Sequence, residues 1–156
     1  MTPPGQAGSG PEVAIDLAAT AARLGNFRHC FFLRRDGESL VELPLTEDGL
    51  VLPLESTFSG SCVQAGRVMV ADAAEDVLHP RERAVLRQYH ADIWLAVPVL
   101  LATDAEEASG LVVGLKKAPL TAGSGVQERT VLALVAEQLA LHWRLGELDQ
   151  ALASAR

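Results

Sequence analysis

Asp72, Glu75, Asp76 and His79 fall close together in the stretch "ADAAEDVLHP". Carboxylates with one imidazole form a donor set that holds iron, manganese or zinc, so Asp72, Asp76 and His79 are the candidate metal ligands. Acidic loop residues are also ordinary formers of solvated turns, and that plainer reading is adopted here: no metal is assigned. Just upstream, "FSGSCVQAG" reads as a short helix opening on small residues. Free amides at Ser59, Gly60 and Ser61 would suit an anionic group, because a helix N-terminus attracts negative charge. Alternatively, Gly60 only permits tight helix-on-sheet packing; both readings stay open. Downstream, Arg83 and Arg87 in "HPRERAVLRQYH" are of the type that pairs with a carboxylate or phosphate, or they are plain surface charges. The two cysteines, Cys30 and Cys62, lie in apolar surroundings without Cys-x-x-Cys spacing, which predicts buried, reduced thiols. Catalytic triads, Gly-rich phosphate loops, zinc-finger spacing and Gly-x-Ser-x-Gly are all absent. No catalytic residue is therefore assigned, and the chain does not read as an enzyme.

The bulk numbers narrow the class further. A chain of 156 residues has the size of one domain and can bury a proper core. With 49% hydrophobic but only 4% aromatic residues, that core must be built mainly from Ala, Val and Leu. A net charge of −7, with Lys and Arg scattered singly or in pairs, lacks the electrostatic footprint of nucleic-acid binding. The longest apolar run, "IWLAVPVLLA", stops at about ten residues, too short to span a membrane. Residues 1–10 lack the basic and apolar regions of a signal peptide and read as a flexible leader; with reduced thiols, the expected location is the cytoplasm.

The elements that must position these groups follow in order. "PEVAIDLAATAARL" reads as a helix with Val13, Leu17, Ala21 and Leu24 on one face, stopped by Gly25-Asn26. "HCFFLRR" is a strand, Asp36-Gly37 a hairpin turn into "SLVELPL", and "LVLPL" a third strand. Ser56 or Thr57 caps the short helix ending at Gly66. Next come "VMV", the acidic loop, and a helix opening at Pro80. "DIWLAVPVLLA" and "SGLVVGLKKA" are apolar at both alternations, so each face of their sheet must be covered. Pro98 within the former removes a ladder donor and suggests an irregular or ligand-facing spot.

The last segment, from Ser124, is one long helix with two apolar stripes. Leu132, Val135, Leu139 and Trp143 form one, which ends there. Val131, Leu134, Gln138, Leu141, Leu145, Leu148 and Leu152 form the other, with the alternating 3-4 spacing of a coiled-coil seam. The expectation is a parallel homodimer through Leu134, Leu141, Leu145, Leu148 and Leu152; the alternative is a seam folded back on its own domain.

In this order and spacing, the elements resemble a GAF domain, a sensory fold related to PAS. The resemblance is carried by "FSGSCVQAGRVMVADAAED", by "ADIWLAVPVLLATDAEEASGLVVGLKKA" with Val97-Pro98 and Gly110, and by "ERTVLALVAEQLALHWRLGEL". It implies an α+β fold over residues 11–150. A central antiparallel sheet of five or six strands would carry the N- and C-terminal helices on one face. Short helices and loops would enclose a pocket on the other, and residues 144–156 would end the signalling helix.

Under that resemblance the pocket candidates are Cys30 and Phe32 on the first strand, Ser59 and Cys62 on the short helix, and Asp72 on the loop. Arg83, Arg87, Tyr89 and His90 would serve from a lid, and Trp94 and Val97 from the hairpin. The function implied is cytoplasmic sensing of an unidentified small molecule, without a cofactor. The signal would pass to an output domain or partner such as a histidine kinase, cyclase or AAA+ activator. The alternatives are a ligand-free dimerisation module and a heme- or metal-based sensor, for which His79 or His90 would be the axial ligand. Bilin attachment is disfavoured, since Cys30 follows His29 on a strand and Cys62 has no neighbouring imidazole. Methionine-sulfoxide reduction would need more cysteines. "LKKAPLTAGSG" lacks the Asn, Phe and Asp of cyclic-nucleotide relatives.

Overall fold

Asp36-Gly37 turns the chain as expected: Gly37 has a φ of 61°, and Asp36 pairs with Ser39 across the hairpin. The computed structural model describes residues 11–155 apart from 103, 104, 118 and 121. The side chains of 11–15, Val13 among them, and of 122–124 also lie outside the described set, as does the expected leader at 1–10. In chain order the elements are α1 (Pro11–Leu24), β1 (His29–Asp36), β2 (Ser39–Leu43), β3 (Val51–Pro53), α2 (Phe58–Ala65), β4 (Met69–Asp72), α3 (Pro80–Gln88), β5 (Ile93–Val99), β6 (Gly110–Lys116) and α4 (Ala122–Ser154). The strands form one antiparallel sheet in the order β3-β2-β1-β6-β5-β4.

Because strand side chains alternate, each central strand feeds two cores. On one face Phe31, Leu33, Trp94, Leu111, Val113 and Leu115 pack with Cys62 and Val63 of α2 and Leu86 of α3. On the other, Cys30, Phe32, Leu95, Val97 and Val112 pack with Ala21 of α1 and with Leu132, Leu139 and Trp143 of α4. The terminal helices thus cover one side and the short helices the other, as the α+β expectation required.

Glycines on β6 let the helix layer sit close. Asn26, at φ 54°, ends α1 in the left-handed region, and the amide of Phe27 donates back to Ala22 O at 2.9 Å. That turn drops Phe27 onto Gly114, where a methyl group would lie 2.6 Å from the ring. Trp143 lies over Gly110 in the same manner, at 2.7 Å from such a methyl. Leu24 departs from expectation: it is exposed, because α1 turns Leu17, Ala18, Ala21 and Ala22 inward instead.

Pro98 leaves β5 regular. The carbonyl of Asp92 accepts from Ala73 N–H, so the even-numbered residues of β5 turn their peptide groups toward β4. The β4 ladder ends at Ala96, and two residues on no neighbour asks for a donor. Along α4, 33 residues span about 50 Å. Leu132, Val135, Leu139 and Trp143 are buried, whereas Leu134, Leu141, Leu145, Leu148 and Leu152 are 51–60% exposed. Every described residue from Arg144 onward is exposed. Among the described residues no helix is long and apolar enough to cross a membrane.

Candidate ligand cleft

The start of α2 was one candidate for anion capture, and the chain fills it with its own carboxyl. Thr57 caps the helix, its Oγ1 accepting from Gly60 N–H at 2.9 Å, and Gly66 closes it at φ 64°. Glu82 of α3 is completely buried. Its carboxyl accepts from Phe58 N–H (3.0 Å), Ser59 N–H (2.9 Å) and Ser59 Oγ (2.7 Å). It also accepts from His79 N–H at 3.3 Å, while His79 Nδ1 accepts from Arg81 N–H, a reciprocal cap on α3. One side chain therefore ties the N-termini of both short helices together. For Gly60 the packing reading holds: a methyl there would overlap the Leu54 carbonyl oxygen and lie 2.6 Å from its carbon.

The acidic loop is a self-contained turn. Asp72 accepts from Ala74 N–H at 2.9 Å, and Asp76 accepts from Asp72 N–H at 2.8 Å. Arg83 donates to the carbonyls of Ala73 and Asp76, pinning the loop to α3. Asp72, Asp76 and His79 are thus spent on local hydrogen bonds. Among the described residues no group of three or more His, Cys, Asp or Glu is placed to hold a metal.

What opens on the short-helix face is a cleft of about 310 Å³ between the β2–β3 loop and the end of α3. His29 and Phe31 of β1 form its floor, Glu42 of β2 and Thr46, Asp48, Gly49 and Leu50 of the loop one wall, and Val85, Gln88 and Tyr89 the other. The rings stack: His29 lies 4.0 Å from Tyr89 at an interplanar angle of 5°, and 5.6 Å from Phe31. Trp94 meets Phe31 edge-on from beneath, at 5.6 Å, with its indole N–H unpartnered. Glu42 accepts from Leu50 N–H at 2.9 Å, which draws the loop against β2.

Burial lowers the His29 imidazole from its ordinary value, opposed in part by the nearby Glu42 charge. A folded-state value below the unfolded one means that stability is fully present above the unfolded pKa of about 6.5 and is lost as pH falls below it. We expect the melting temperature to drop between pH 7 and 5.5, and His29→Phe, which keeps the ring stack, to flatten that drop. An unchanged slope in the variant would refute this assignment.

Of the candidates named from the sequence, Tyr89 lines this cleft. Cys30, Phe32 and Val97 do not, because they point into the helix-side core. Cys62 and Trp94 are on the cleft side of the sheet but fully buried beneath it. Burial pushes both thiols up to about 12, and Cys62 Sγ is engaged with the carbonyl of Arg67. Ser59 is bonded to Glu82 and Asp72 to its own turn, while Arg83 holds the loop. Arg87 is exposed, and His90, at φ 53°, ends α3 as an exposed left-handed residue, with Ala91 N–H returning to Leu86 O. Since His79 caps a helix and His90 faces solvent, neither imidazole fits an axial heme role. The lining residues not among those candidates are His29, Phe31, Glu42, Val85, Gln88 and the β2–β3 loop. For His29 and Phe31 the signal lay on β6, where Gly114 and Gly110, opposite Cys30 and Arg34, mark the helix side of β1.

A second, larger hollow of about 780 Å³ runs between α4 and the ends of β4 and β5. Val68, Val97, Pro98, Ala136, Ala140 and Leu141 line it, with Glu137 and Arg144 among its polar residues.

Neither a family model nor a curated protein matches the chain. Solved structures do. A structure of a methyl-accepting chemotaxis protein is 18% identical with a TM-score of 0.66, over 88% of this chain and 89% of that one. The GAF domain of a two-component sensor histidine kinase from Bacillus halodurans is 16% identical at TM-score 0.63, over 87% and 97%. The GAF domain/HD domain protein from Geobacter sulfurreducens is 19% identical at 0.62, over 86% and 94%. The chain has the GAF fold.

Proposed function

We propose that this is a regulatory domain of the sensory type, which takes a small molecule in the His29–Tyr89 cleft and passes its occupancy on through α4. The observation that carries the reading is the leucine stripe of α4, exposed over half of each side chain while the opposite stripe is buried. An apolar helix face of that length calls for a partner. Similarity to the GAF domain of a sensor histidine kinase and to a chemotaxis-protein structure supports a signalling role.

The partner proposed is a second copy in parallel register, within a cytoplasmic protein. Leu134, Leu141 and Leu148 then occupy one core position of the heptad, and Gln138, Leu145 and Leu152 the other. In that register Arg144 faces the partner subunit's Asp149, a favourable flanking pair. The output domain would be a histidine kinase, cyclase or AAA+ activator. β1 couples input to output, since His29 and Phe31 line the cleft while Cys30 and Phe32 pack in the α4 core. A ligand preferring one cleft geometry would bias the helix packing as a population shift.

Light scattering at micromolar concentration should give twice the 16.5 kDa chain mass. Leu141→Glu with Leu148→Glu should give monomers with unchanged circular dichroism, weakening association at least ~100-fold. A monomeric native chain would rule out the pairing. One observation favours a second reading, an interaction module without ligand: Trp94, Leu54, Leu86 and Cys62 fill the interior beneath the cleft. Cleft occupancy, tested below, separates the two.

A further inference from the structure

The anion site that the start of α2 offered as one reading is filled by Glu82, whereas negative groups line the cleft. Its lining includes two carboxyls, Glu42 and Asp48, and neither Lys nor Arg. The ion pairs seen among the described residues are Arg34–Glu147, Arg35–Glu107 and Lys116–Glu128, so Glu42 and Asp48 are left without a cationic partner. Glu42 is half-buried and has a backbone amide on one oxygen, with the ring stack beside it. Burial disfavours the charged form of the His29 ring, against the pull of the Glu42 charge.

We infer that this cleft takes a small organic cation, an amine, ammonium or guanidinium compound, seated against the Tyr89–His29–Phe31 stack and neutralised by Glu42 and Asp48. The inference rests on the reading of the cleft as the ligand site. Aromatic faces attract cations through the ring quadrupole, and more strongly where water is excluded. Hydrogen bonds from a charged donor to a carboxylate are about twice as strong as neutral ones. The volume, about 310 Å³, stands at the small end of ligand pockets, which suits a compact ligand. Gln88 and Thr46 offer neutral polar contacts to the remainder of such a molecule. An anionic ligand would meet two carboxyls and no countercharge, and the cleft excludes it on that ground.

The test is titration of the full chain with choline, putrescine and methylguanidinium, against 3,3-dimethylbutan-1-ol, the uncharged shape of choline, and against acetate at matched ionic strength. Aromatic resonances of Tyr89 and His29 report occupancy. At least one cation should shift them saturably, with the neutral alcohol roughly tenfold weaker or more. Glu42→Gln keeps an acceptor for Leu50 N–H and should lose roughly tenfold in cation affinity at an unchanged melting temperature. Asp48→Asn, at an exposed position, should lose less. If the alcohol or acetate shifts the same resonances as well as the cations do, the charge inference is overturned while the cleft remains a ligand site. If no compound moves them, the ligand reading of the cleft fails with it.

Discussion

Replacing Glu82 with alanine is expected to destabilise the domain by about 3–5 kcal/mol, a large part of the ~5–15 kcal/mol typical of a folded domain. The cause is the set of donors it serves. Without the carboxyl, two α2 amides, the Ser59 hydroxyl and the His79 amide lose their acceptor, the two Ser59 donors at a fully buried position. Unpaired buried donors cost more than the net worth of the bonds they made, and the deleted side chain leaves a void besides. Glu82→Gln preserves volume and one acceptor but turns an amide group toward backbone donors, so an intermediate loss of about 1–3 kcal/mol is expected. Urea unfolding of the three proteins measures this. A Glu82→Ala midpoint within about 1 kcal/mol of the parent would show that the contacts are dispensable.

Gly60→Ala should cost about 3 kcal/mol although it adds one methyl. The added carbon would meet the backbone of Leu54, which cannot rotate aside as a side chain could. Relief requires lifting α2 off the β3–α2 turn, and that movement strains the Thr57 cap and the Glu82 contacts together. Because the two substitutions act on one helix seat, the double variant should fall short of the sum of the singles. Thermal unfolding in parallel gives the comparison. A neutral Gly60→Ala would mean that α2 seats more loosely than its contacts require.

Much of the fold was legible in residue patterns. β5 and β6 are apolar at both alternations, which required a layer on each face, and α4 carries one stripe for the sheet and one facing outward. Asn26 and Gly66 sat where left-handed helix ends were read. The site was less legible, for reasons that particular residues show. "HCFFLRR" is apolar at both parities around Phe31 and Phe32, so alternation alone could not say which ring faced the cleft. The resolving signal lay on another strand: Cys30 and Arg34 pair with Gly114 and Gly110, the positions that admit Phe27 and Trp143 from the helix layer. The helix-side orientation of Val97, opposite Val112, was unreadable for the same reason. Glu82 reads as a surface charge in "PRERAV" because its partners come from 23 and 24 residues away. The β2–β3 loop reads only as a turn, since a turn signal says where the chain reverses and not what its side chains enclose.

Under the proposed signalling role, the bare stretch of α4 past Trp143 would act as a lever. Trp143 clamps the helix against the sheet, and the exposed run from Arg144 to Ser154 projects beyond that pivot by about 16 Å. A tilt of roughly 5° at the clamp would sweep the free tip sideways by more than ~1 Å, the size of helix shift known to repack an interface. Adjustments too slight to see at the ring stack would thus arrive enlarged at whatever grips the far end.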